Sequence, residues 1–558
     1  MDHGRHKLLK RHLNDKLSDS PPPKRLRITE DTPQIDRISS LSDEILLHIL
    51  SFLSIPALLT CQRLSHRFHD LALDSELWKR QYFSKWVRPR ARQLANSRRT
   101  PFLQPKLKYS PRVSTWLDHG HLDGNDGATN WKRQYQLRHN WSKGTCRVTE
   151  VRISQPPKPP MLVTLCAGYV ITADSRGGLR VWSVECPETC KAALDFVGPE
   201  SPSSSAPTAL TAACSPGKSC VEVVVGFGDG VLSVYKLDTA NLRLNMRFSR
   251  TRSAHGSITA IATSYPYLMV ISKHMMLSLY KLSPGSDGTS WGDEIHHIAS
   301  LKADSILAPM SLSIRLAGSG VIASIVYSFL HIGSGWSLGI QELHFNNTGQ
   351  QTKSRLTTTV DTQYGVSLHR LPGSTNGQFP GPAMRTILHR DPPTSVSYSH
   401  PYLLTSHADN TLTVFLVVST SSSLYVKGAQ RLWGHTSSVS AAQVSNRGKA
   451  VSVSSQGDEV RIWELESLIS SFGSQRVLRG DNSIKVKPEN QRRLQDLEGL
   501  GLLSEGPCRD DSRADSPPGK LPHKMIQARD CIGFDDERVL LLREKEHGPQ
   551  LLELYDFT

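Results

Sequence analysis

Trp433-Gly-His-Thr-Ser-Ser-Val439 opens the most informative stretch of this 558-residue chain, which runs through Ala450-Val-Ser-Val453 to Glu459-Val-Arg-Ile-Trp463. A polar turn, an apolar run and a second run that alternates apolar with polar residues spell strand, turn, strand. The second half of that pattern, alternating and closed by an aromatic residue, recurs. It is found at Gly178-Leu-Arg-Val-Trp182, Gly230-Val-Leu-Ser-Val-Tyr235, Met276-Leu-Ser-Leu-Tyr280 and Asn410-Thr-Leu-Thr-Val-Phe415, with weaker copies ending at Phe345 and Tyr555. Most copies follow another apolar run: Tyr169-Val-Ile-Thr172, Val221-Glu-Val-Val-Val225, Leu268-Met-Val-Ile271, Leu403-Leu-Thr405 and Val539-Leu-Leu-Leu542. Tyr265-Pro-Tyr-Leu268 and His400-Pro-Tyr-Leu403 are alike as well.

Repetition at this interval signals a propeller or a solenoid. Seven units at about 45 residues each need roughly 315 residues, and residues 147–558 supply 412. The surplus is expected in two polar stretches rich in Pro, Gly or Ser, residues 346–394 and 467–527. A ring of this kind is expected to close by pairing Cys146-Arg-Val-Thr-Glu-Val-Arg-Ile153 into the last blade, which removes exposed edges. The Trp433–Trp463 unit, with Gly434-His435, resembles a WD repeat; His255-Gly256 and the turn residues Asp229 and Asp409 are partial echoes. In WD proteins the His, a strand Ser or Thr, a turn Asp and the Trp form a buried hydrogen-bonded set. No repeat here carries all four in register, so the resemblance implies a degenerate seven-bladed propeller over 146–558.

Upstream the texture is helical. Ser40 or Ser42 is placed to cap a helix whose first turn holds Asp43 and Glu44, suited to the positive end of the helix dipole. Ile45, Leu46, Ile49, Leu50 and Leu53 fall on one stripe. Pro56 stands at the start of a second helix with Leu64, Phe68 and Leu71, and Asp74 caps a third with Leu77, Trp78 and Tyr82. Three short helices in about 46 residues bury too little surface for a robust core of their own. Such a unit leaves apolar residues for a partner, and Leu47, His48 and Phe52 lie off the main stripe.

Leu41-x-Asp43-Glu44-Ile45-Leu46-x-x-Ile49-Leu50-x-x-Leu53, followed by Leu58-Leu59, Ser65, Phe68 and Leu77-Trp78, resembles an F-box, with Ser42 where that motif commonly has Pro. The resemblance covers 37–84. It implies an all-α unit docking on the Skp-type adaptor of cullin–RING ubiquitin ligases, through Leu41, Ile45, Leu46, Ile49, Leu50, Phe52, Leu58, Leu59 and Trp78. Internal core is the alternative role for each of these residues. Residues 85–145 read as a basic linker with a helix, in which Trp131-Lys-Arg-Gln-Tyr135 repeats Trp78-Lys-Arg-Gln-Tyr82. That helix resembles the one joining F-box to propeller in F-box/WD-repeat receptors. The whole then implies a multidomain, non-catalytic substrate receptor of an SCF-type ligase. Its adaptor brings cullin and RING subunits, its propeller holds a protein substrate, and it needs no cofactor and no metal.

Charge and chemistry bound this reading. Residues 1–145 carry 26 Lys and Arg against 14 Asp and Glu, and the remaining 413 carry 40 against 37, so the net +15 sits in the N-terminal quarter. Residues 1–36 read as a disordered basic tail, and Lys24-Arg-Leu-Arg27 fits either a nuclear import signal or a solvated cluster. Nine scattered cysteines suit a reducing compartment, nucleus or cytoplasm, and neither an apolar leader nor an 18-residue apolar run is expected to direct the chain to a membrane. Gly226-Phe-Gly-Asp-Gly230 imitates a dinucleotide fingerprint but lacks the third glycine and precedes a strand. Cys186-x-x-x-Cys190 has no second pair at zinc spacing, and no His-Glu-x-x-His or phosphate-loop motif occurs. Arg176, Arg180 and Arg461 are candidates for reading a phosphorylated target, and the substrate contacts are otherwise unassigned. The rival reading is a nuclear scaffold or nucleic-acid-associated protein using the basic N-terminal region.

Overall fold

The computed structural model describes residues 38, 40–89, 129–152, 161–196, 205–214, 220–250, 255–282, 295–302, 307–318, 320–346, 348–360, 387–455, 459–465, 483–488, 525–545 and 550–558. The tail at 1–36 with its basic cluster, and most of 85–128, lie outside them. The chain divides into two units, Met1–Leu77 and Trp78–Thr558.

Four helices occupy the F-box stretch: α1 (Asp43–Leu50), α2 (Ile55–Cys61), α3 (His66–Ala72) and α4 (Ser75–Tyr82). Three were expected. The second splits because Cys61–Leu64 tightens into turns and Ser65 Oγ then accepts the Phe68 N–H at 3.2 Å, restarting the helix. Ser42 is the N-cap of α1 through its backbone only, its side chain making no cap bond. Asp43 is held by Arg67, whose Nε and Nη2 donate to Oδ1 at 2.9 and 2.7 Å. Asp74 caps α4 as expected, accepting from the N–H of Glu76 at 2.9 Å and of Leu77 at 3.3 Å. Leu50, Leu58, Ala72 and Leu77 form the small core, with Leu47, Leu53, Ile55, Cys61 and Leu71 packed around it.

The second unit is a ring of seven sheets, six of four strands and a closing one of five. The blades in chain order begin at Leu162–Cys166, Pro207–Cys214, Ile258–Ser264, Leu307–Ala317, Ser395–Ser399, Val439–Val444 and Met525–Phe534. Each aromatic-terminated fragment of the sequence is the third strand of its blade, from Gly178–Ser183 in blade 1 to Gln550–Asp556 in blade 7. The two Pro-Tyr-Leu copies turn from first to second strand in blades 3 and 5, each with a cis X-Pro bond. Thr145–Arg152 closes the ring, antiparallel to the last strand with Arg147 opposite Asp556 and Arg152 opposite Leu551. The stretches read as insertions also contain strands: Gln351–Thr358 is the fourth of blade 4 and Ser483–Lys485 the fourth of blade 6. Outer-edge strands are polar, so Gln-Thr-Lys-Ser-Arg-Leu-Thr-Thr looks like loop in composition.

Every seam between neighbouring blades has its own apolar cluster, seven in all. Hydroxyl groups of the first strands stitch several seams, with Ser395 and Ser397 accepting the N–H of Ala442 and Val444 at 3.0 Å. Gly226, part of the false fingerprint, allows blades 2 and 3 this approach: a Cβ there would meet Ile258 at 2.5 Å.

The linker helix α5 (Trp131–Lys143) is capped by Asn130, whose side chain accepts the Arg133 N–H at 3.0 Å. It ends at Gly144 with φ 66°, where a Cβ would lie 2.6 Å from the Lys485 carbonyl oxygen. Trp141 stacks on Phe557 at 4.2 Å and donates to the Asp536 carbonyl at 2.9 Å, fixing α5 to the closing blade. Trp131 and Tyr135 face the other way. The two Trp-Lys-Arg-Gln-Tyr copies pack reciprocally, Trp78 on Tyr135 at 5.7 Å and Tyr82 on Trp131 at 5.5 Å. Trp86 joins Tyr135 at 4.7 Å.

Candidate partner-docking helices and the propeller interior

Helix α1 carries two apolar stripes where one buried stripe would satisfy a helix packed on a small core. Leu46 and Leu50, one turn apart, are 1% and 2% exposed. Ile45, Ile49 and Phe52 point outward and are 49%, 45% and 70% exposed. The Phe52 ring meets His48 edge-on at 5.0 Å. On α2 the same division separates Leu58, fully buried, from Leu59, 43% exposed. Leu41 and Leu47 are half-buried, and Leu64 is exposed. Of the nine residues singled out for docking, Ile45, Ile49, Phe52 and Leu59 are therefore solvent-accessible, and Leu46, Leu50 and Leu58 are internal. Trp78 is buried and belongs to the aromatic clasp of the second unit. The sequence could have separated these groups only by phase: Ile45 and Leu46 are neighbours in the chain yet 100° apart on the helix.

Blade 6 assembles a buried polar set of this kind without the turn Asp, in keeping with the expectation that no repeat carries all four residues. Ser452 Oγ accepts from Trp463 Nε1 at 2.8 Å and contacts His435 Nε2 at 2.6 Å. The acid is Glu459 in place of Asp, 3.4 Å from His435 Nδ1 and bonded to the Thr436 N–H at 3.0 Å. Burial opposes its charge, but the Thr436 N–H and Arg461 hold the Glu459 carboxyl down at about 2.

Blade 5 answers the same need differently. His389 and His407 stack with ring centres 3.8 Å apart and planes 2° from parallel. Thr405 Oγ1 lies 2.9 Å from His407 Nε2, and Thr413 Oγ1 lies 3.2 Å from His389 Nε2. Burial, reinforced by Arg431, lowers His389 to about 4; burial and the His389 ring lower His407 to about 3. Between blades 4 and 5, fully buried Glu342 receives Arg315 at 2.6 Å, Arg355 at 2.9 Å and Ser419 Oγ at 2.8 Å. Burial pushes this carboxyl up, but Arg315, Ser419 and Arg355 outweigh it and hold it below the usual range. Spacing gave no warning of either cluster, because their members come from different strands.

The three arginines considered for phosphate do not form a cluster. Arg180 is paired with Asp174 in blade 1 and Arg461 with Glu459 in blade 6, while Arg176 is exposed in a turn of blade 1. Gly226–Gly230 joins two antiparallel strands of blade 2, which is no nucleotide fold.

A helical unit with an outward apolar stripe, followed by a seven-bladed ring, defines an F-box protein with a β-propeller. Residues 38–84 match the F-box-like family, and residues 146–558 match the family described as F-box protein pof12 beta-propeller. The chain belongs to that propeller family. Over 491 residues it is 22% identical to F-box protein pof12 of Schizosaccharomyces pombe (strain 972 / ATCC 24843), spanning 84% of this chain and 95% of that protein. Among solved structures it is similar to the RRP9 WD40 repeats, at 9% identity over 74% of this chain and 97% of that one with a TM-score of 0.39. The Cps50 (Swd1) propeller of Myceliophteria thermophila gives 10% identity, 74% and 100% coverage and a TM-score of 0.37.

Proposed function

We propose that this chain is the substrate-recognition subunit of an SCF-type ubiquitin ligase. Its F-box docks on a Skp-type adaptor, which brings the cullin and RING subunits, and its propeller binds a target protein. The observation that carries the reading is the outward patch of Ile45 and Ile49 on α1 with Phe52 in the turn that follows, apolar and exposed while Leu46 and Leu50 of the same helix are buried. Burying such a patch against a partner gains roughly 25 cal/mol for each Å² removed from water. Leu59 is the fourth contact in this reading, and Leu46, Leu50 and Leu58 support the surface from within. The chain takes no covalent part in ubiquitin transfer; it raises the effective concentration of target lysines beside the ubiquitin thioester. Its place of action in this reading is the nucleus, the cytoplasm or both.

The test is affinity purification of the full chain beside an Ile49→Asp, Phe52→Asp variant, scored for adaptor and cullin. Wild type recovers both, and the variant, with unchanged circular dichroism, loses both. Adaptor without cullin would place the protein outside a ligase. Neither from wild type would leave the basic N-terminal scaffold in front, to be tried by the salt dependence of nucleic-acid binding. On the propeller, the first side chains to truncate for loss of target alone are Leu330 and Ile332, 62% and 98% exposed at the tip of the long blade 4 hairpin.

A further inference from the structure

Cys166 and Cys214 lie 48 residues apart in sequence, each the last residue of the first strand of its blade, in blades 1 and 2. Their sulfur atoms are 3.5 Å apart across the seam. That separation is about 1.5 Å longer than a disulfide bond, and both residues stand at strand ends, where backbone adjustment costs least. Cys166 is followed by the Ala167-Gly168 turn, both residues at positive φ. The two thiols are not equivalent. Cys214 is exposed and Cys166 half-buried. The hydrogen bond from Cys166 favours a thiolate on Cys214 and lowers it to about 7, against the opposing effect of burial. The same bond, then burial, then the nearby Asp535 carboxylate keep Cys166 protonated. An accessible nucleophile with a protonated thiol in contact is the arrangement of a redox-active pair.

The geometry points to a peroxide-sensitive dithiol at the seam of blades 1 and 2, in which Cys214 is oxidised first and Cys166 resolves it. The Cys214 thiolate attacks one oxygen of hydrogen peroxide; the S–O bond forms, the O–O bond breaks, and hydroxide leaves with Cys214 as the sulfenic acid. The Cys166 sulfur then attacks the Cys214 sulfur, its proton going to the departing oxygen, and water leaves as the disulfide forms. Two electrons pass from the sulfur pair to the peroxide. The product ties the first strands of adjacent blades covalently, inside a seam whose apolar cluster already holds those blades in register.

The experiment uses the full chain, reduced, freed of reductant and exposed to hydrogen peroxide, then alkylated and mapped by mass spectrometry without reduction. Wild type yields a peptide linked through Cys166 and Cys214 that reductant abolishes, and its melting temperature rises by about 5 °C. Cys214→Ser gives no link and leaves Cys166 alkylated. Cys166→Ser stops at the Cys214 sulfenic acid, trapped by dimedone. Cys186 and Cys190, both exposed free thiols, serve as internal controls. The proposal is overturned if Cys166 and Cys214 stay alkylatable while those controls oxidise, or if Cys214 in Cys166→Ser reacts no faster than they do. Melting curves of both variants, matching reduced wild type, separate lost chemistry from lost folding.

Discussion

Lowering the pH from 7 to 5 should destabilise the propeller through the His389–His407 stack. Both rings are buried and neutral in the fold, at about 4 and about 3, whereas an unfolded histidine titrates near 6.5. Between those values the unfolded chain binds protons that the folded chain refuses. Stability is therefore full above about pH 6.5, falls as the pH drops, and levels only below the folded values. At pH 5 each unfolded imidazole is favoured by about 2 kcal/mol, so the pair removes about 4 kcal/mol, a large share of a typical stability. The groups facing the rings are Arg431, at 3.4 Å from His389 Nδ1, Asp409, and the hydroxyls of Thr405 and Thr413. Arg431 opposes protonation; Asp409 favours it but is already paired with Arg431 and Thr411. The assay is the urea midpoint from pH 7.5 to 5, for wild type and for His389→Gln, His407→Gln. Glu459 does not confuse this window, since its carboxyl is held at about 2 and loses its contribution only as the pH falls below the usual carboxylate range. Equal pH slopes in wild type and double variant would refute the reasoning, because the slope would then come from other groups.

Three further outcomes follow from particular residues. Leu50→Ala should cost about 2–5 kcal/mol and unfold the helical unit, whereas Phe52→Ala should leave its melting curve within about 0.5 kcal/mol and weaken adaptor binding at least tenfold; calorimetry and binding on the same samples check both. Ser452→Ala leaves the buried Trp463 and His435 nitrogens without their shared partner, and should destabilise the propeller by about 2 kcal/mol in chemical denaturation. Gly144→Ala forces a side chain into positive φ and against the Lys485 carbonyl, and should lower the melting temperature by several degrees, with hydrogen exchange rising first at the C-terminal end of α5.

What was readable from the chain was whatever repeats locally. Alternation of apolar and polar residues placed the third strand of every blade, because each such strand must bury one face whatever its neighbours are. Closure was readable for the same reason: Val148 and Val151 sit in a strand with no partner near it in sequence, and a ring leaves one edge for it. The fourth strands were missed where they form the outer edge, as at Gln351–Thr358, since few of their side chains are buried and nothing forces an apolar pattern. On the helices the apolar residues were found but not sorted. Ile45 and Leu46 carry the same chemistry, and only the position of the core, contributed by α2 and α3, decides which turns inward.

The polar interior shows why site chemistry was harder to read than fold. A WD repeat satisfies its buried groups with one fixed set, and a reader who looks for that set finds fragments. In this propeller the need remains and the means differ from blade to blade: Glu459 substitutes for the aspartate in blade 6, two stacked histidines with threonine hydroxyls serve blade 5, and a carboxylate between two arginines joins blades 4 and 5. Each arrangement supplies hydrogen-bond partners to polar groups that the ring buries. A strand can change its polar partners without changing its apolar alternation, so the ring survives the loss of its signature. The same independence lets two cysteines 48 residues apart meet across a seam. Nothing in their spacing announces them; only the requirement that the first strands of neighbouring blades end side by side brings their sulfurs together.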